Sequence, residues 1–158
     1  MIRLSGVVKH LIIINVLFFF ATQLMGEPAY GNITELSQLG RMRLALYYPS
    51  SPFFEPFQLV THMFMHATLS HLFFNMMGLF FFGPPLEQIW GEKKFLIYYF
   101  ITGFGALGIY LLSKYVELNY LGAPISTINI PMLGASGAIS GVVIGYAMKF
   151  PNSIVQLL

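Results

Sequence analysis

From Phe95 to Leu112 the chain runs eighteen residues without a charged side chain. That is enough uninterrupted apolar helix to cross the hydrocarbon core of a bilayer. The rest of the sequence does nothing to wrap such a run in a water-facing shell, because 56% of its 158 residues are hydrophobic and only 9% are charged. A chain of single-domain length with that balance reads as an all-α membrane protein, a polytopic helical bundle. The net charge of +2 comes from scattered lysines and arginines, which gives no basic run for a nucleic acid to bind, so a nucleic-acid partner is not expected. With no cysteine, disulfides, thiolate metal sites and a cysteine nucleophile are excluded together.

Taken in order, the first apolar segment is Leu11 to Met25, preceded by Arg3 and Lys9 and interrupted by Asn15, Thr22 and Gln23. A cleaved leader is the rival reading, but Ala21-Thr-Gln-Leu-Met-Gly26 is a poor small-residue cleavage site. Gly26 to Phe57 is a long connection. Within it Asn32-Ile-Thr-Glu35 has the form of a capping box, and Ile33, Leu36 and Leu39, with Leu44 as a further candidate, predict an amphipathic helix lying on the bilayer surface. Tyr47, Tyr48, Phe53, Phe54 and Phe57 read as an aromatic belt at headgroup depth. Leu69 to Trp90 is the second apolar segment, carrying His71 and Asn75, with His62 and His66 just before it. Phe95 to Leu112 is the third, and after a connection from Ser113 to Met132 the fourth ends at Lys149 and Pro151.

The fourth segment holds a serine in a glycine-flanked turn. Gly134 and Gly137 allow a tight turn and a close approach at Ser136, and Gly137, Gly141 and Gly145 fall at i, i+4 and i+8, a flat stripe for another helix. That stripe alone fits a packing seam with an incidental serine. If all four segments cross, Arg3, Lys9, Lys93, Lys94 and Lys149 share one side, and the positive-inside rule makes it and the amino terminus cytoplasmic. His71 and Asn75, at i and i+4 near the opposite face, then lie in the same layer as Ser136. Polar side chains are costly in a bilayer and face the protein interior or a water-filled cavity, so these three are expected to meet. On the residues alone, His71 is the candidate general base for Ser136. His62-x-x-x-His66 could hold a metal or a haem, but no carboxylate lies near and there is no His-Glu-x-x-His, so no metal and no cofactor is expected.

Thr61-His-Met-Phe-Met-His66, His71-Leu-Phe-Phe-Asn75, Glu87-x-x-x-Gly91 and Gly134-x-Ser136-Gly137-x-x-x-Gly141, in that order and at these spacings, resemble the rhomboid family of intramembrane serine proteases. The resemblance covers essentially the whole chain. It implies a core of six transmembrane helices, of which residues 1–158 would supply the first four and stop before the fifth and sixth. It implies further that Ser136 is the nucleophile, that His71, Asn75 and the Ser136 backbone N–H form the oxyanion hole, and that His66, Glu87 and Gly91 support the structure, as Gly134, Gly137 and Gly141 do. The family carries a Trp-Arg pair after its first span, where this chain has Phe57-Gln58, a departure that puts a loop-anchoring role borrowed from the family in doubt. The family's base is a histidine on the sixth helix, and no residue here matches it.

The expected activity is therefore that of an endopeptidase that cuts transmembrane segments of membrane proteins near the extracytoplasmic face, without a cofactor. Its partners would be the lipid bilayer and those substrates. Two rivals are a rhomboid-like protein that binds such segments without cutting them and a histidine-based haem or metal protein. The helix that covers the glycine stripe is expected among the segments beyond Leu158. A water-filled depression is expected to open at Ser136, because non-helical backbone at that depth must be buried in protein or wetted.

Overall fold

The computed structural model describes residues 6–24 and 43–152. The surface helix expected around Asn32–Glu35 lies outside the described residues. The elements are α1 (Gly6–Leu24), a short α2 (Gln58–Thr61) that passes into a 3-10 turn (His62–Phe64), α3 (Leu69–Trp90), α4 (Glu92–Tyr120), a 3-10 turn (Ile125–Asn129) and α5 (Ser136–Lys149). All the regular elements among the described residues are helical, with one isolated antiparallel bridge between Leu46 and Met132. Among the described residues one helix, α4, is both long and apolar enough to cross a membrane by length and composition; the apolar part of α1, Gly6–Thr22, is shorter.

The start of α1 is set from outside. Glu87, near the far end of α3, accepts hydrogen bonds from the backbone N–H groups of Val7 at 2.6 Å and Val8 at 3.1 Å. Two orphan donors are thereby satisfied, and a carboxylate stands at the positive end of the helix dipole. The helix accordingly begins at Gly6, ahead of the expected Leu11, and takes in Lys9. Gly6 has φ +69° and leaves no room for a side chain, since a Cβ there would strike the Glu87 carboxylate. Glu87→Leu is expected to destabilise the fold by about 1–3 kcal/mol, the cost of leaving the buried N–H groups unpaired. Glu87→Gln, which keeps one acceptor, should cost less, as thermal unfolding in detergent would measure.

The bounds of α3 agree with the sequence. The Thr68 hydroxyl caps it by accepting from the His71 N–H at 3.1 Å, and Gly91 ends it with φ 78° and ψ 158°, a conformation that in practice only glycine adopts. Nothing lies within 4 Å of where a Gly91 Cβ would be, so the glycine is needed for its backbone and not for space. Inside α3, Pro84 and Pro85 remove the donors that would bond the carbonyls of Phe80 and Phe81. After Gly91 the chain turns directly into α4, which runs past the expected Leu112 to Tyr120. The charges that mark the end of the apolar run, Lys114 and Glu117, pair at 2.9 Å on the same helix, so they end the apolar stretch without ending the helix.

The glycine stripe is an interface inside this chain, which corrects the expectation that its covering helix lies beyond Leu158. A Cβ on Gly137 would meet Ala106, one on Gly141 would clash with Thr102, and one on Gly145 would lie 2.9 Å from the Tyr98 hydroxyl oxygen. The three partners are themselves at i, i+4 and i+8 on α4. Hydrogen bonds cross the seam from the Tyr98 hydroxyl to the Gly141 carbonyl at 2.8 Å and from the Thr102 hydroxyl to the Ala138 carbonyl at 3.3 Å. On its other flank α5 meets α3, where Ile139 packs on Gly78.

Beside its apolar core this bundle buries several polar side chains and turns many large apolar ones outward. Asn15, Gln58, His62, His66, Asn75 and Glu87 are buried, whereas Leu17, Phe74, Ile101, Ile109 and Met148 are more than half exposed. Large apolar side chains facing outward on every long helix suit a hydrocarbon solvent. Tyr47 departs from the expected aromatic belt: it is buried and packs against Phe53 at a centroid distance of 5.5 Å, while Phe53 and Phe57 are exposed.

Candidate active site

Ser136 is the first residue of α5 and is exposed. The turn before it is pinned from three directions. The Gly134 N–H donates to the His62 carbonyl at 2.9 Å, Met132 and Leu46 exchange backbone hydrogen bonds at 2.8 and 2.9 Å, and the Ser51 hydroxyl meets Asn129 Oδ1 at 2.8 Å. Gly134 has φ +122°, which an L side chain rarely adopts. It is also the floor between two side chains of the expected site. A methyl group in place of its hydrogen would lie 2.9 Å from both Cε1 and Nε2 of His71 and 3.7 Å from Ser136 Oγ. Residues 65 positions apart in sequence thus flank a single glycine. No hydrogen bond joins the imidazole to the hydroxyl.

Asn75, one turn further along α3, is buried and donates from Nδ2 to the His71 carbonyl at 2.8 Å. One of its two amide N–H bonds is spoken for and the other is free to donate. His66 stands behind His71 with ring centroids 5.0 Å apart, edge to face. It is buried, and neither of its ring nitrogens has a hydrogen-bond partner. Burial, with the neighbouring His71 adding to it, lowers its pKa from 6.5 to about 4. Burial lowers His62 as well. The sign of the consequence follows: an unfolded imidazole takes up a proton near 6.5 while folded His66 resists until about 4, so through that interval the unfolded state holds more protons. Stability is expected to fall as the pH drops from 6.5 toward 4, and His66→Gln should flatten that slope in thermal unfolding measured across the interval.

Two residues that matter here were not assigned this role by the sequence. Gln58, fully buried, uses its whole amide: Nε2 donates to the carbonyls of Arg43 at 3.2 Å and Phe53 at 2.9 Å, and Oε1 accepts from the N–H groups of Tyr47 at 3.3 Å and Glu55 at 3.1 Å. Where the family has its Trp-Arg pair, this chain anchors the loop by a neutral amide. His62, weighed as a metal ligand, has its Nδ1 at 2.8 Å from the Gln58 carbonyl and holds the Gly134 turn through its own carbonyl. Among the described residues no three His, Asp or Glu side chains converge as a metal site. The available signal was a polar residue, Gln58, in an apolar and aromatic setting.

An all-helical bundle with outward apolar faces and a serine at a glycine-built helix start defines a membrane-embedded helical protein with a candidate nucleophile. Residues 54–158 match the Rhomboid domain family, and the chain belongs to the rhomboid family, a family of integral membrane proteins that includes intramembrane serine proteases. It is 33% identical over 104 residues to a Bacillus subtilis (strain 168) relative, covering 64% of this chain and 46% of that protein. It is 33% identical over 99 residues to Rhomboid-like protease 3 of Toxoplasma gondii, covering 63% of this chain and 36% of that protein. Against Rhomboid protease AarA of Providencia stuartii it is 29% identical over 134 residues, covering 84% and 46%. The chain spans about half or less of the length of these curated relatives.

Proposed function

We propose that residues 1–158 supply four spans of an intramembrane serine endopeptidase that cuts transmembrane segments near the extracytoplasmic face, its amino terminus in the cytoplasm. The observation that carries this reading is that the His71 ring and Ser136 Oγ both lie within 4 Å of where a Gly134 Cβ would be. Attack by Oγ on a peptide carbonyl places negative charge on its oxygen. The candidate donors for that charge are the Ser136 backbone N–H at the start of α5, the His71 imidazole and the second Asn75 amide N–H. The helix dipole of α5 favours the same charge. His66, Glu87, Gly91, Gly134, Gly137 and Gly141 hold the frame.

The proton from Oγ needs an acceptor, since a serine hydroxyl is a weak nucleophile without one. In this reading it is the family's sixth-helix histidine, which is not among these residues. The segment 1–158 expressed alone is therefore expected to insert in membranes and to turn over substrate far more slowly than the full-length protein. The test of the assignment is covalent labelling of the full-length protein by a fluorophosphonate, which reacts with activated serines. Labelling that disappears in Ser136→Ala supports it. An unlabelled wild-type protein that still binds a transmembrane peptide would overturn it in favour of a binding protein without catalysis.

A further inference from the structure

A groove between α1 and α3 has a volume of about 420 Å³ and is lined by Ile12, Phe73, Met76, Met77, Phe80 and Phe81. All six are apolar, and the volume falls within the roughly 300–1,000 Å³ typical of sites for small organic molecules. Methionines supply two of the linings and adapt readily to a flexible occupant. At one end of the groove the charge changes. The contacts of Glu87 with Val7 and Val8, and of Gly83 with Val8, set the start of α1 beside the end of α3. Lys9 lies one turn before Ile12 and Ile13, is exposed, and has no ion-pair partner among the described residues.

Side chains on a helix lean toward its amino terminus, so the Lys9 ammonium extends beyond the groove toward the end of the bundle. Lys93 and Lys94 are exposed at that same end, with Glu92 beside them. Of the two carboxylates there, Glu87 is occupied by the α1 N–H groups, and Glu92, whose Oε1 would lie 2.8 Å from a Gly6 Cβ, makes no ion pair with Lys9. The arrangement is an apolar slot with an unpaired cation at its rim, in a protein whose family lives in the bilayer.

We propose that this groove holds an acyl chain of one anionic phospholipid whose headgroup phosphate is bound by Lys9. The site depends on α1 and α3 being embedded in lipid and is independent of which residues carry catalysis. Native mass spectrometry of the full-length protein with dioleoyl phosphatidylglycerol or dioleoyl phosphatidylcholine tests it. A single cation near the headgroup predicts about fivefold tighter retention of the phosphatidylglycerol. Lys9→Gln should erase that preference, and Met77→Trp or Ile12→Phe, which fill the slot, should weaken retention of both lipids. Equal retention of the two lipids by the wild type, or a preference that survives Lys9→Gln, would overturn the proposal. Lys9 is an exposed position, so its variant carries the test even where a slot-filling variant does not fold. Fluorophosphonate labelling of Ser136 in Lys9→Gln should match wild type, which separates a failure here from a failure of the protease assignment.

Discussion

Ser136→Ala in the full-length protein is expected to lower the cleavage rate of a transmembrane substrate to background, a loss on the order of 10⁶ where serine nucleophiles have been removed from other proteases. His71→Ala and Asn75→Ala are expected to lose less, roughly 10² to 10³ each, the usual cost of one oxyanion donor. The contrast matters because the residues alone also allow His71 to be the base. A base acts as a unit with its nucleophile, so in that case His71→Ala would fall as far as Ser136→Ala. The geometry admits either outcome: the ring and the hydroxyl flank Gly134, and no hydrogen bond commits them to each other. Single-turnover cleavage in liposomes measures all three variants. Asn75→Ala also frees the His71 carbonyl that the amide now holds, so its helicity should be checked by circular dichroism. Equal rates for wild type and both donor variants would refute the oxyanion assignment.

The second large effect is expected from Gly141→Leu. Even a Cβ at that position would collide with the Thr102 side chain, and Thr102 cannot simply rotate away at no cost, because its hydroxyl bonds the carbonyls of Tyr98, Tyr99 and Ala138. Leucine would force α4 and α5 apart, costing about 3 kcal/mol or more, at or above the upper end for overpacking. Gly105 and Gly108 provide the control on the facing helix, because nothing lies within 4 Å of a Cβ at either. Leucine there should change the unfolding temperature little, while Gly141→Leu should lower it markedly or prevent recovery of folded protein. Similar unfolding temperatures for all three would mean that the seam contributes nothing to stability.

The phase of the glycine stripe was legible in the sequence because helical periodicity fixes which residues share a face. Its partner was not identified, although Tyr98, Thr102 and Ala106 carry the matching spacing on the neighbouring helix. The limits of α3 were legible for a local reason: its apolar run breaks at both ends, where the structure shows caps at Thr68 and Gly91. The start of α1 was not, since Glu87 caps it from 80 residues away, and no local pattern announces such a cap. The length of α4 is not legible from charge, because Lys114 and Glu117 pair with each other and end only its apolar part. His71, Asn75 and Ser136 were singled out together on the cost of polar groups in a bilayer, and the fold does bring His71 and Ser136 to one glycine. The anchoring by Gln58 depends on four backbone groups meeting one amide, and only a folded loop reveals that.

The bridge from Leu46 to Met132 and the Ser51–Asn129 contact, which spans 78 residues, bear on the order in which the molecule is completed. Helices α4 and α5, with the loop between them, close locally, and α3 joins α4 through a single glycine. The turn at Gly134 takes its final shape only when a segment made much earlier returns to clamp it, a closure that pays its entropy before its contacts form. A nascent chain would therefore hold its helices before it holds the turn that seats Ser136, and that seat would still be open while the helices enter the membrane.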